Sequence, residues 1–456
     1  MTGSSIPEEA VAELCSVLGD RVLLDPDVML AHTRDQCHLT PAGTPLAVVR
    51  ATSTSDVVAT MQWATASGAA VVVRGAGTGL AGGANAIDGG VVLDLARMDA
   101  ILDIDPVART ARVQAGVVNG VLDAAARKVG LRYVPDPGSK DISTIGGNIA
   151  TNAGGLCCVK HGVTADHVDS LVAVLADGRV IRPGRSTRKD VAGLDLVRLL
   201  TGSEGTLAVL VEATVRLLPL APVTATAALT FSSLADAVAT VRSLEMTPSV
   251  AELMDATTVQ CVNDATGMGL DQDSAALVLV QCDGPSATSD IAHVLEAARA
   301  CGALEVHATD DAAEGAAFMA ARRAALPALE RKGSVLLDDV SVPLHQLPTL
   351  VERIIALSAR LGVCIGTFGH LADGNLHPTI VFDAHDPDAC VRAEQAFAEI
   401  LDLTLALDGS ITGEHGVGTL KLAHLDRQIG FTELTLMREI KRVFDPANLL
   451  NPGKGY

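Results

Sequence analysis

The sequence predicts an α+β protein of more than one domain, and three observations carry that prediction. At 456 residues the chain exceeds what one ordinary hydrophobic core serves, so two or three domains are expected. Short β-branched runs alternate with amphipathic stretches in the first half, and helical periods alternate with short strands in the second. Between the halves, Leu218-Pro-Leu-Ala-Pro-Val-Thr-Ala-Thr-Ala carries two prolines that interrupt any regular element, marking a boundary near residue 221.

Residues 1–40 read as a helical lead-in. LAVVRATSTSDVVATMQWATASGAAVVVRGAGTG then gives strand, helix and strand. Val48-Val49 and Val71-Val72-Val73 have strand length, Ser55 or Asp56 stands where an N-cap belongs, and Gly68 ends the helix. Further β-like runs follow at GGVVLDL, ARTARVQAG, HVDSLVAVLADGRVIRP and GTLAVLVEATVRLLP, with Asp177-Gly178 as a hairpin turn. These define a strand-rich domain over 41–221. Over 222–420, SLADAVATVRSLE, SDIAHVLEAARACG and LPTLVERIIALSARLG read as helices, and AALVLVQCDG, SVLLDDVSVP, GTFGHL and HPTIVF as strands. Residues 421–456 form an amphipathic helix stopping before Pro446, followed by an extended tail.

Composition narrows the function. Trp63 is the only tryptophan, Tyr133 and Tyr456 are the only tyrosines, and the formal net charge is −20. Nucleic acid is therefore not an expected partner, since its recognition relies on clustered cations and stacking aromatics. No basic segment followed by an apolar one opens the chain, so export is not expected. No apolar run approaches the roughly 18–20 residues of a spanning helix. Nine cysteines without a Cys-x-x-Cys read as reduced thiols. A cytoplasmic protein is expected, with peripheral attachment to the inner face of a membrane allowed.

Three glycine-rich segments dominate the first domain. RGAGTGLAGGANA (74–86) formally satisfies the dinucleotide fingerprint, but Gly82-Gly83 and Gly89-Gly90 interrupt it before the next strand, so no crossover helix is expected. A long loop whose unhindered amides wrap a pyrophosphate fits the segment, as does a plain flexible loop. PDPGSKDISTIGGNIATNAGG (135–155) spreads small polar side chains among glycines, and TGSEGTL (201–207) again precedes a strand. Together they point to a large phosphorylated cofactor.

In this order the three segments resemble the FAD-binding domain of the vanillyl-alcohol oxidase and p-cresol methylhydroxylase superfamily. The resemblance implies a two-subdomain FAD-binding domain, an α+β substrate (cap) domain with an antiparallel sheet, and a C-terminal segment returning to the flavin site, where Asn451 is expected. It places the ADP phosphates against Arg74, Gly75, Gly77, Thr78, Gly79 and Gly82. The flavin ring falls near Pro137, Gly138, Thr144, Gly147, Asn148, Thr151, Gly154, Gly155, Gly162, Val163 and Glu204. The first loop lacks histidine and His161 matches no linkage position, so FAD is expected to be non-covalent.

In FGHLADGNLHP (368–378), a two-residue turn at Asp373-Gly374 would place His370 opposite His377 across a hairpin, with Cβ atoms about 4.5–5.5 Å apart. SITGEHGVG (410–418) sets Glu414 beside His415, and a His370/His377/Glu414 set suits zinc, manganese or iron(II). A histidine pair near a turn is also a common packing motif. The order of this pair, Gly-Glu-His-Gly and Asn451-Pro-Gly-Lys454 after the flavin loops resembles the D-lactate dehydrogenase, glycolate oxidase flavin-subunit and D-2-hydroxyglutarate dehydrogenase group. That group implies an arginine for the substrate carboxylate, matched by Arg322 in FMAARRAAL, with Arg323 as the register alternative. Relatives specific for hydroxyglutarate carry a lysine where Leu337 stands.

The expected activity is FAD-dependent oxidation of a small D-2-hydroxy acid resembling D-lactate, with His415 as base, Arg322 as clamp and a metal-assisted hydroxyl. The alternatives are the flavin subunit of a glycolate oxidase complex and a D-2-hydroxyglutarate dehydrogenase. Electrons are expected to leave to an external acceptor: a quinone, an electron-transfer flavoprotein or a partner subunit. A homodimer is allowed.

Overall fold

The computed structural model describes residues 8–37, 39–187 and 189–456. Residues 1–7 and 38 of the expected lead-in therefore lie outside the described residues. The chain divides into two compact units, one of Met1–Gly154, Val163–Leu220 and Glu414–Tyr456, the other of Gly155–Gly162 and Ala221–Gly413.

In the first unit, Ala47–Arg50, Val71–Arg74 and Val91–Asp94 form a parallel core sheet, and Val22–Leu23 adds an antiparallel edge that the helical reading of the lead-in did not foresee. Helix Thr54–Ser67 connects the first two of these strands and ends on Gly68. Its N-cap is Ser53, not Ser55 or Asp56. Ser53 Oγ accepts from Asp56 N while the Asp56 carboxylate accepts from Ser53 N, a reciprocal capping box that satisfies two end donors. No helix lies between Val71–Arg74 and Val91–Asp94, so the fingerprint is a loop.

A second sheet, fully antiparallel, runs Ile101–Asp105, Thr110–Gln114, Val209–Arg216, Val168–Val174, Val180–Ile181, the last two joined through the Asp177-Gly178 turn. The glycine segment at 135–155 is not all loop. Helix Ile145–Thr151 forms within it, started by Thr144 Oγ1 accepting from Gly147 N.

The second unit is built on one antiparallel sheet in the order Ala303–Thr309, Thr224–Phe231, Ala276–Asp283, Val250–Asp255, Cys364–His370, Asn375–Phe382, Ser334–Leu337. Val340–Ser341 pairs with the Asn375–Phe382 strand, leaving Asp338 and Asp339 as a fully buried break in what the sequence presents as one strand. Helices Leu234–Arg242, Ala287–Ala300 and Leu347–Leu361 appear where the sequence places them. The central strands are buried on both faces: every residue of Val250–Asp255 and Asn375–Phe382 is buried. A polar side chain there needs a dedicated partner.

Candidate active site

Within the first unit the glycine-rich segments meet one another and the C-terminal segment. A Cβ on Gly75 would collide with Thr144 Oγ1, and one on Gly82 with Thr419 and Thr40 Oγ1, so these approaches require glycine. Glu204 accepts from Val417 N (2.9 Å) and Gly418 N (2.7 Å), so its carboxylate is committed to holding the Gly-Val-Gly run, and burial raises its pKa. Asn451 Nδ2 donates to Glu204 O (2.7 Å). Lys454 Nζ reaches Gly83 O (2.9 Å) and Asn85 O (2.5 Å), tying the tail to the first loop, and burial lowers its pKa to about 8. Glu414 packs directly against the Cα of Gly154, and His415 Nε2 lies 3.7 Å from Glu414 Oε1.

These residues fit a flavin dinucleotide. Arg74 Nη1, Asn148 Nδ2, Thr419 Oγ1 and Asn451 Oδ1 are buried and find no hydrogen-bond partner among the described residues, which a polar cofactor would supply. Arg74 is a buried cation near Asp35 and Asp94, its pKa lowered chiefly by desolvation. Of the residues expected at the cofactor, Arg74, Gly75, Gly77, Thr78, Gly79, Gly82, Pro137, Gly138, Thr144, Gly147, Asn148, Thr151, Gly154, Val163, Glu204 and Asn451 belong to this unit. Gly155 and Gly162 belong to the other. They bracket a short excursion in which Lys160 Nζ and His161 Nε2 bind the Asp283 carboxylate at 2.5 and 3.2 Å, holding that carboxyl well below its usual range.

In the second unit the hairpin register differs from the sequence expectation. His370 pairs with Asn375, and His377 with Phe368, because the turn spans the four residues 371–374 instead of two. The histidines are therefore diagonal neighbours on one face, within reach of long side chains. Their rings nevertheless converge: Nε2 to Nε2 is 3.5 Å, both residues are buried, and the ring planes stand at 88°. Two nitrogens bound at 2.0–2.1 Å to one tetrahedral ion would be about 3.4 Å apart, so the pair fits a metal. Behind them stand carboxylates: Glu252 Oε1 accepts from His370 Nδ1 at 2.6 Å, which turns the His370 Nε2 toward His377, while Asp339 Oδ1 stands 3.8 Å from His377 Nδ1, beyond hydrogen-bond distance. The Asp339 carboxylate accepts from Asn375 Nδ2, Thr412 Oγ1 and Gly413 N, which fixes the backbone one residue before Glu414.

Arg322 lies in the last turn of helix Ala312–Arg323, its Nε donating to Glu252 Oε2 (2.6 Å) and its guanidinium 4.6 Å above the Phe368 ring. Arg323 instead caps Ala316 O at an exposed position, so of the two registers only Arg322 joins the histidines' cluster. Sequence reasoning passed over Glu252. The signal was there: one acid within the otherwise apolar run Val250-Ala-Glu-Leu-Met, where burial on both sheet faces demands a cationic or N–H partner.

Comparison with known proteins covers both halves of the chain. Residues 45–184 match the model of an FAD binding domain, and residues 220–455 that of the C-terminal domain of FAD linked oxidases. Glycolate oxidase subunit GlcD of Bacillus subtilis is 39% identical over 90% of this chain and 89% of its own length. D-lactate dehydrogenase of Anaerostipes hadrus is 32% identical over 99% and 98%. Among solved structures, substrate-bound p-cresol methylhydroxylase aligns with a TM-score of 0.82 at 19% identity, covering 98% of this chain and 96% of its own, which establishes the shared fold. With both halves matched and relatives aligned along nearly their whole length, the chain belongs to the FAD-linked oxidase family, as an FAD-linked oxidoreductase of the type that includes glycolate oxidase subunit GlcD and D-lactate dehydrogenase.

Proposed function

We propose that this enzyme oxidises a small D-2-hydroxy acid of the D-lactate kind to its 2-keto acid, with non-covalent FAD and a divalent metal on His370, His377 and Glu414. The observation that carries the reading is the buried histidine pair, its Nε2 atoms 3.5 Å apart and its ring edges backed by Glu252 and Asp339. When bound, FAD accepts the electron pair and hydrogen of alcohol oxidation, and the ion favours the deprotonated form of a coordinated hydroxyl. The chain supplies the rest. Arg322 donates through Nε to Glu252, which leaves its Nη edge to bind the acid's carboxylate through parallel hydrogen bonds. His415 takes the hydroxyl proton at a ring nitrogen as C2 is oxidised, and Glu414 beside it supplies the third metal ligand.

Leu337, half-buried and apolar, gives no countercharge for a second substrate carboxylate, which favours a monocarboxylic acid over D-2-hydroxyglutarate. The 39% identity to GlcD favours a second reading, service as the flavin subunit of a glycolate oxidase complex. In both readings the electrons pass to an external acceptor, a quinone, an electron-transfer flavoprotein or a partner subunit. No described helix is long and apolar enough to cross a membrane.

The deciding experiment is anaerobic bleaching of the bound flavin by D- and L-lactate, glycolate and D-2-hydroxyglutarate, using the purified chain alone. Bleaching by D-lactate ahead of L-lactate is expected. Preference for glycolate would favour the subunit reading, and failure of every acid would overturn the activity.

A further inference from the structure

We propose that Glu252 is a positioning residue that ties the substrate-carboxylate arginine and the metal-binding histidine pair to one buried carboxylate. The proposal rests on the roles given above to Arg322, His370 and His377. Glu252 lies in the middle of strand Val250–Asp255, directly across from His370 on the neighbouring strand, and is 1% exposed. One oxygen accepts from His370 Nδ1 and the other from Arg322 Nε, both at 2.6 Å.

Each bond does separate work. Accepting from Nδ1 fixes the tautomer in which Nε2 keeps its lone pair, and that lone pair is the one facing His377. Binding Nε orients the guanidinium, already stacked on Phe368, so that its Nη edge turns away from the carboxylate. Only an acceptor at both ends can serve a histidine N–H and an arginine N–H together, and only an ionised carboxylate is one. Metal affinity and acid orientation thus depend on the same side chain.

That asymmetry makes the isosteric variant diagnostic. In Glu252→Gln the amide oxygen goes to Arg322, which can only donate, and the NH2 group faces His370. Nδ1 must then accept, the ring proton moves to Nε2, and the metal's lone pair is lost. Zn2+ affinity, measured on the FAD-loaded protein by competition with a chromophoric chelator, is expected to fall by about 10–100-fold. With Zn2+ saturating, the D-lactate concentration that half-saturates anaerobic flavin reduction should stay within about threefold of the unmodified enzyme, because the bond to Arg322 survives. Glu252→Ala loses both bonds and should weaken both affinities about tenfold or more.

Zn2+ affinity in Glu252→Gln within about threefold of the unmodified protein would overturn the proposal. Parallel loss of Zn2+ affinity, D-lactate affinity and melting temperature in Glu252→Gln would also overturn it, showing a merely structural carboxylate. If the unmodified protein binds Zn2+ and Mn2+ no better than His370→Ala, the metal reading fails and takes this inference with it. If D-lactate does not reduce the flavin at all, the substrate assignment fails, while the Zn2+ titration still decides what Glu252 does for His370.

Discussion

Replacing Gly77 by alanine tests the flavin site through a cost that can be worked from the backbone. Gly77 has φ +70°, the left-handed region, where an alanine costs about 1–2 kcal/mol. The added methyl would also fall within 3.0 Å of Cζ, Nη1 and Nη2 of Arg74, so the buried guanidinium must move. Displacing a charged group from its buried position costs about 1–3 kcal/mol more. The sum is about 2–5 kcal/mol, and 1.4 kcal/mol is a factor of ten, so FAD affinity should fall by roughly 30-fold to a few thousandfold if the loop must keep this shape to bind phosphate. Gly89 provides the control. It has the same φ of +70°, but an added methyl there meets nothing within 4 Å. Gly89→Ala should therefore lose about 1–2 kcal/mol of stability and keep its FAD. The assays are flavin content on purification, FAD titration of apoprotein by fluorescence quenching, and melting curves with and without FAD. Equal FAD affinity in the two variants would refute the placement of Arg74 and its loop at the cofactor.

Three further outcomes are expected. His370→Ala should remove bound metal and most turnover while flavin content stays unchanged, because the histidine pair and the glycine-rich loops belong to different units; loss of FAD in step with metal would contradict that separation. His415→Ala should keep FAD and metal yet reduce the flavin about 10²-fold or more slowly at saturating acid, and an unchanged rate in rapid mixing would dismiss it as the base. Asp255 is fully buried and its pKa is raised to about 6 by desolvation, partly offset by the bonds from Thr258 and Thr367. The folded protein thus holds this proton more tightly than the unfolded chain, whose Asp titrates near 3.9. Stability falls as pH rises from about 4 to about 6 and stays lower above, by about 3 kcal/mol. Asp255→Asn, which keeps an N-cap for helix Ala256–Thr266, should melt higher than the unmodified protein at pH 7.5 with a smaller advantage at pH 5, and a pH-independent difference would show that Asp255 does not titrate in this range.

The sequence by itself determined the class of fold and the cofactor. Strand runs at Val48-Val49 and Val71-Val72-Val73, the glycine spacing at 74–86 and the prolines near 219 are local signals, legible because backbone conformation there depends on a few neighbouring residues. It also singled out His370, His377, Glu414 and His415 by residue type and order along the chain, and Arg322 through the family resemblance, although a histidine pair near a turn by itself is also a common packing motif. Only the tertiary structure decided how they are held. The hairpin pairs His370 with Asn375, because turn length is set by the strand register across the sheet, yet the imidazoles still meet diagonally. Glu252, 118 positions from His370 and 70 from Arg322, joins both through a buried carboxylate. A partner at that separation leaves no periodicity to read. Its only trace in the sequence is one charge in an apolar strand, and what satisfies that charge is known only once strands Val250–Asp255 and Cys364–His370 lie side by side.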